Sequence, residues 1–324
     1  MIGLVDIQAA RERISPYIVR TPATRDENLG RRLGADIWFK WENRQTTGSF
    51  KLRGALNKLL QLTPEHAPGG VVAASTGNHG QGVAYAARLR GLRATIYVPD
   101  DAPRKKLRGL TQLGAQVVAK PGGYGAAEAA ALAAAADAGV VWVSGYNDPQ
   151  VIAGQGTQAL EWLEQVPATN LLLVPAGGGG LIAGVGLAIK ALQPDVRIAG
   201  VQTKNSAALH AAFYGGDMES VVHLPTLADG LAGPVEADSL TIPLVKQIVD
   251  EILLVSEAEV EQAMAYAYHA HGEVIEGAGA VGLAALLAGK VDCAGQVVGL
   301  LISGGNVDAE QHTEILSRQA KREE

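Results

Sequence analysis

The chain contains one cysteine, Cys293, so it can form neither an intrachain disulfide nor a thiolate metal cluster, and a reducing, cytosolic compartment is expected. Aromatic residues are scarce: three Phe, four Trp and eight Tyr make up 5 % of 324 residues, which leaves the core to Ala, Val, Leu and Ile. No basic stripe is present and the formal net charge is −6, so the clustered Lys and Arg that displace counterions from nucleic acid are missing. Long uncharged apolar runs are also absent. The Ala-rich stretch 126–139 is short and is interrupted by Glu128 and Asp137, so no membrane span is expected. The N-terminal MIGLVDIQAARERI carries Asp6, Arg11, Glu12 and Arg13, which rules it out as the apolar segment of a signal peptide. It reads as an amphipathic helix with Asp6 as its N-cap.

What the chain does contain is a hydrophobic fraction of 48 %, enough for one large or two ordinary domains with real cores. Apolar strand-like runs alternate with helical stretches. The strands are expected at 36–40, 70–74, 94–98, 115–119, 140–143, 170–174, 197–202, 252–255 and 297–302. The helices are expected at 50–61, 79–90, 103–112, 124–138, 150–164, 180–192, 257–270, 278–288 and 308–320. Runs such as LLLVPA and VVGLLIS are continuously apolar, as in strands covered on both faces. The expected fold is therefore α/β, with mostly parallel sheets flanked by helices. Residues 66–148 hold four short strands and three helices and are expected to close as a small inserted α/β domain. Residues 1–65 and 149–324 would form the large one. Residues 203–245 are the least regular segment.

Four segments carry chemistry. Gly177, Gly178, Gly179 and Gly180 follow an apolar strand and open a helix. Four glycines let backbone N–H groups turn to an anion, and the helix dipole favours negative charge there. The same segment matches G-x-G-x-x-A through Gly178, Gly180 and Ala183, but a dinucleotide site wants an acidic residue closing the next strand, and that strand ends at Gln202. Lys51, in TTGSFKLRGA, lies just inside a helix start behind a TTGS stretch able to cap it. A cation there opposes the helix dipole, so stability alone does not favour it. As a neutral amine or in a Schiff base it would be a nucleophile. Ser75-Thr76-Gly77-Asn78-His79 join an apolar strand to a helix and concentrate donors suited to a carboxylate; capping by Ser75 or Asn78 is the simpler alternative. Ser303, in LISGGN, ends a strand, where a hydroxyl could meet a ring nitrogen or simply close a turn. Asn147 and Asp229-Gly230 are turn residues unless a pocket gathers them.

Taken together and in this order, SFKLRGA, STGNHGQG, GGGGL and SGGN resemble the fold-type-II pyridoxal-phosphate enzymes, above all the serine/threonine dehydratases and serine racemases. The resemblance runs from RTPAT at Arg20 to SGGNVD at Ser303. The tracts TLADGLAG and EGAGAVGLAALL are also similar to dehydratases linked to hydroxyectoine breakdown. The resemblance implies a two-lobed fold and pyridoxal 5'-phosphate as cofactor. It implies that Lys51 holds the cofactor covalently and is the base on Cα, that Phe50 packs on the ring and that Asn78 faces its 3′-oxygen. Gly177 to Gly180 would hold the phosphate, Ser303 the pyridine nitrogen, and Glu276 would lie near the ring. Ser75, Asn78 and His79 would take the substrate carboxylate, and Asn147 would line the pocket. Tyr124 sits where some relatives reach the substrate, and residues 122–125 and 229–235 would read its side chain.

The sequence departs from the pattern in two places. Where the family often holds a divalent cation, the chain reads Gln202-Thr203-Lys204-Asn205-Ser206-Ala207-Ala208, poor ligand chemistry for Mg²⁺ or Ca²⁺, and no metal is expected. Thr76 stands where racemases carry a serine as proton donor; its methyl group restricts the hydroxyl. No residues remain for the regulatory domain of biosynthetic threonine deaminases, so isoleucine feedback is not expected. The expected reaction is β-elimination from L-threonine or L-serine to a 2-oxo acid and ammonia, in a homodimer, with no nucleic acid or membrane partner. Amino-acid racemisation and 3-hydroxyaspartate dehydration are the alternatives, followed by a non-catalytic binding protein of the same fold and, remotely, a dehydrogenase.

Overall fold

The structure, a computed structural model, describes residues 2–137 and 139–323. Its strands are β1 (Ala23–Asp26), β2 (Asp36–Trp41), β3 (Gly70–Ala74), β4 (Ala94–Pro99), β5 (Gln116–Lys120), β6 (Val140–Trp142), β7 (Leu171–Pro175), β8 (Arg197–Thr203), β9 (Glu251–Val255) and β10 (Val297–Ile302). Its helices are α1 (Leu4–Ile14), α2 (Glu27–Leu33), α3 (Lys51–Leu59), α4 (Asn78–Arg90), α5 (Arg104–Gln112), α6 (Gly123–Ala135), α7 (Pro149–Gln165), α8 (Gly180–Leu192), α9 (Ala208–Phe213), α10 (Thr241–Ile248), α11 (Glu257–His271), α12 (Gly277–Leu287) and α13 (Ala309–Glu323). The end of the helix expected at 124–138 falls on residue 138, outside the described residues.

The strands form two sheets, ordered β1-β2-β10-β7-β8-β9 and β5-β4-β3-β6. Every pairing is parallel except β1 with β2. The continuously apolar runs lie where two-sided cover requires them: β7 and β3 are buried at every position. One core packs α11 and α12 on the first sheet, a second packs α7 and α8 on its other face, and a third joins β3 and β4 to α3 and α4. Because the strands are parallel, their carboxyl ends collect along one edge of each sheet, which is where open α/β sheets hold ligands.

Several local expectations need correction. Asp6 is not the N-cap of α1; Gly3 is, and the Asp6 carboxylate accepts from the Gly3 N–H at 2.8 Å from the third helical position. No TTGS side chain caps α3: the cap position is Phe50, whose N–H donates to the Ser303 carbonyl at 3.0 Å. Gly77 rather than Ser75 or Asn78 is the N-cap of α4. The strand β1 and the helix α2 were not expected. Asp26 caps α2 through the Leu29 N–H at 2.9 Å and Gly34 closes it in the left-handed region, a cap pair the sequence does display. The irregular segment 203–245 contains α9 and the start of α10.

A buried ionic cluster fixes α3. Arg53 and Lys40 are fully buried. The Arg53 guanidinium donates to both Glu42 oxygens at 2.8 Å and to the Glu161 oxygens at 2.8 and 3.0 Å. The Lys40 ammonium donates to Glu161 and to the Thr21 carbonyl, both at 2.7 Å, and to Gln165 at 2.9 Å. Two cations and two carboxylates thus balance across β2, the turn at Glu42, α3 and α7. Removing one member strands buried charge. Arg53→Leu is expected to lower the unfolding free energy by about 3–5 kcal/mol, seen as a lower urea midpoint at unchanged slope. A shift no larger than that of Arg104→Leu, on the exposed face of α5, would contradict the assignment.

Candidate active site

The carboxyl edges of the two sheets enclose a cavity of about 530 Å³ lined by Phe50, Lys51, Ser75 to His79, Gly177 to Gly180, Glu276 and Ser303, among others. The first sheet supplies the turn after β7 and the turn after β10. The second supplies the turns after β3 and β6. Lys51 enters from α3, which lies against both α4 and α7.

The Lys51 ammonium donates to the Gly145 carbonyl at 2.7 Å and stands 5.3 Å from the centre of the Phe50 ring. Burial strips its hydration and brings its pKa down to about 8, against the opposing pull of the Glu276 carboxylate. A neutral amine is therefore accessible near physiological pH. Glu276, the residue before α12, is pushed the other way, up to about 7, first by burial and then by the Asp229 charge; its hydrogen bond from Asn78 holds it back. That bond, Asn78 Nδ2 to Glu276 Oε1, is 2.6 Å, and Asn306 donates to Asn78 Oδ1 at 2.7 Å. Asn78 and Glu276 thus belong to one polar chain beside Lys51.

Gly177 to Gly180 form the turn into α8. The first-turn N–H groups of that helix have no acceptor within the helix. Glycine is required here by close packing. A Cβ on Gly178 would lie 2.6 Å from the Tyr146 ring, and one on Gly180 would lie 2.8 Å from the Tyr146 Cα. The Gly178 carbonyl is fixed from outside by the Thr241 hydroxyl at 2.7 Å. Ser303 is buried, and its hydroxyl makes no hydrogen bond among the described residues while it faces the cavity. Ser75 accepts from the Gly77 N–H at 3.2 Å. The N–H groups of Asn78, His79 and Gly80 open α4 and lack helical partners; the Gln81 N–H is the first to find one, the Gly77 carbonyl at 3.1 Å.

Two expected contacts are not made. Asn147 does not line the cavity: its amide N donates to Glu236 at 2.6 Å and its oxygen accepts from the Leu240 N–H at 3.0 Å, so both ends serve the 236–240 loop. The His79 ring is unsuited to a carboxylate. Nε2 lies 2.8 Å from the Val143 carbonyl, so Nε2 carries the proton, and burial followed by the Lys51 charge takes the pKa down to about 4. The ring is then neutral, and Nδ1, without a partner among the described residues, presents a lone pair. In the stretch 202–208, where no metal is expected, the Gln202 side chain accepts from the His210 N–H at 2.9 Å. Tyr146, Thr241, Glu128, Trp142 and Lys106 escaped sequence reading because only the fold brings them here.

The cavity suits pyridoxal phosphate. It holds a desolvated amine for the aldehyde, an unpartnered hydroxyl for the ring nitrogen and a helix N-terminus whose glycine floor leaves no space for side chains. The model of the pyridoxal-phosphate dependent enzyme family matches residues 14–304. The chain belongs to that family. It is 45 % identical over 318 residues to an L-threonine ammonia-lyase of Thermotoga maritima, covering 98 % of this chain and 79 % of that one. It is 40 % identical to a catabolic L-threonine dehydratase of Staphylococcus aureus, covering 95 % of this chain and 90 % of the relative. Among solved structures, maize serine racemase superposes with a TM-score of 0.89 at 33 % identity, covering 99 % of each chain. This member of the pyridoxal-phosphate dependent enzymes therefore shares its fold with both lyases and a racemase.

Substituting the glycine floor tests the cradle. Gly178→Ala is expected to weaken pyridoxal-phosphate binding by on the order of tenfold to a hundredfold, since overpacking costs about 1–3 kcal/mol. Titration followed by visible absorbance reads this directly, and an unchanged affinity would contradict the placement.

Proposed function

We propose that the protein is an L-threonine/L-serine ammonia-lyase, converting the 3-hydroxy amino acid to a 2-oxo acid and ammonia. The observation that carries this reading is the Lys51 amine, buried against the Gly145 carbonyl with its pKa lowered to about 8, in the same cavity as the glycine turn and the Ser303 hydroxyl. Near-full-length likeness to threonine ammonia-lyases supports the choice of substrate.

Bound pyridoxal phosphate supplies an aldehyde that condenses with amines and a ring that delocalises carbanion charge. The residues of the chain do the rest. Lys51 would hold the cofactor and is the group in the cavity placed to take the proton from the substrate Cα. Gly177 to Gly180 and the α8 N-terminus hold the phosphate. The neutral Ser303 hydroxyl would donate to the ring nitrogen without adding charge. Phe50 would flank the ring, and the hydrogen-bonded pair Asn78 and Glu276 would meet its polar substituents. The substrate carboxylate rests on Ser75 and the N–H groups opening α4, a role for the backbone of residue 79 rather than its ring. In this reading 66–148 is a small domain that closes on the large one (1–65 with 149–324) and excludes water. The protein is then a cytosolic homodimer.

A second reading, racemisation, is favoured by one observation: the Thr76 hydroxyl lines the cavity and makes no hydrogen bond among the described residues. Thr76→Ala would then abolish racemisation of serine, read by chiral chromatography, more severely than elimination.

Incubating the holoenzyme with L-threonine is expected to release 2-oxobutyrate, and Lys51→Ala is expected to abolish both this and the visible absorbance of bound cofactor. No 2-oxo acid from serine or threonine would refute the assignment. The uptake of pyridoxal phosphate by apoprotein needs the neutral amine, so its rate is expected to rise with pH and level off above about 8. A rate that keeps rising through about pH 10 without levelling off would show that Lys51 keeps the ordinary lysine pKa.

A further inference from the structure

One wall of the cavity carries charge that the mechanism above does not use. Glu128, on α6, faces the cavity and has no ion-pair partner among the described residues. Its Oε1 accepts from the Tyr124 hydroxyl at 3.2 Å, and the same hydroxyl lies 3.3 Å from the Ala74 carbonyl. Ala74 immediately precedes Ser75, where the substrate carboxylate is assigned. The chain Ala74–Tyr124–Glu128 therefore fixes a carboxylate next to that pocket. Burial first, and then the nearby Glu236 charge, push the Glu128 carboxyl above its usual range, against the pull of the Tyr124 hydrogen bond. Trp142 and Tyr146 complete this part of the wall. The cavity has two lysines. Lys51 is committed to the cofactor, and Lys106 is paired with Asp229 at 2.9 Å. Among the described residues, no free cation faces this wall.

We propose that Glu128 is a specificity residue that excludes 3-hydroxy amino acids carrying a second carboxylate and restricts the site to neutral ones. This rests on the ammonia-lyase reading. The α-carboxylate rests on α4, and the side chain of the substrate is placed against the wall of Tyr124, Glu128 and Trp142, which adjoins that carboxylate site through Ala74. A hydroxyl or methyl group is accepted there. A carboxylate would be desolvated beside a like charge with no partner, a juxtaposition that selects strongly against the wrong ligand.

The experiment compares kcat/KM of the holoenzyme for L-threonine and threo-3-hydroxy-L-aspartate, measured as 2-oxo acid release, in the wild type, Glu128→Gln and Glu128→Asp. The wild type is expected to prefer threonine by on the order of a hundredfold. Glu128→Gln, which keeps an acceptor for Tyr124, is expected to narrow that ratio by roughly tenfold or more, and Glu128→Asp, which keeps the charge, is expected to preserve it. Equal turnover of both substrates by the wild type, or an unchanged ratio in Glu128→Gln, would overturn the proposal. If the wild type releases 2-oxo acid from neither of these nor from L-serine, the lyase reading fails, and the role of Glu128 is decided by binding. L-Aspartate and L-asparagine, matched in shape, are titrated against the visible absorbance of bound cofactor. Preference for asparagine sustains the role and equal affinity refutes it; this comparison needs no variant.

Discussion

Arg53 gives up its hydration to sit between Glu42 and Glu161, and that placement decides where Lys51 points. The two residues are two apart on α3 and so project from nearly opposite faces of the helix. One face is locked into buried charge that also enlists Lys40 and Thr21. The other carries an amine to the Gly145 carbonyl. A buried ion pair is weak evidence for stability in itself. Here its consequence is geometric, because a helix that cannot rotate holds its first residue at one position in the cavity.

That position matters because both sheets end there. Parallel strands bring the turns after β7 and β10 together on one side and the turns after β3 and β6 on the other. The first pair supplies the glycine turn and Ser303; the second supplies donors for a carboxylate and the carbonyls that hold Lys51 and His79. Opposite shifts at Lys51 and Glu276, toward about 8 and about 7, have one dominant cause, burial, acting on opposite charges. Their proximity and the Asn78 bridge make the cavity floor a coupled unit rather than a set of separate groups.

Much of this was legible in the chain. The glycine turn and Lys51 announced themselves because no helix needs four glycines or a cation at its start for stability. The buried strands read clearly because two-sided cover demands unbroken apolar runs. What sequence could not supply was partnership across distance. Asn147 looked like a pocket residue, but Glu236 and Leu240 claim both ends of its amide. His79 looked like a donor until the Val143 carbonyl fixed which nitrogen carries the proton. Glu128 registered only as a break in an alanine run, since its meaning comes from Tyr124 and Glu236. The short β1, with charged Arg25 and Asp26, lacks strand character and exists because β2 offers an edge.

The most direct test of the central claim is to fix the cofactor in place chemically. Holoenzyme is treated with borohydride, digested and mapped by mass spectrometry. The account predicts the phosphopyridoxyl group on the peptide containing Lys51 and on no other lysine. Its appearance on Lys106, the other lysine facing the cavity, or on none, would contradict it.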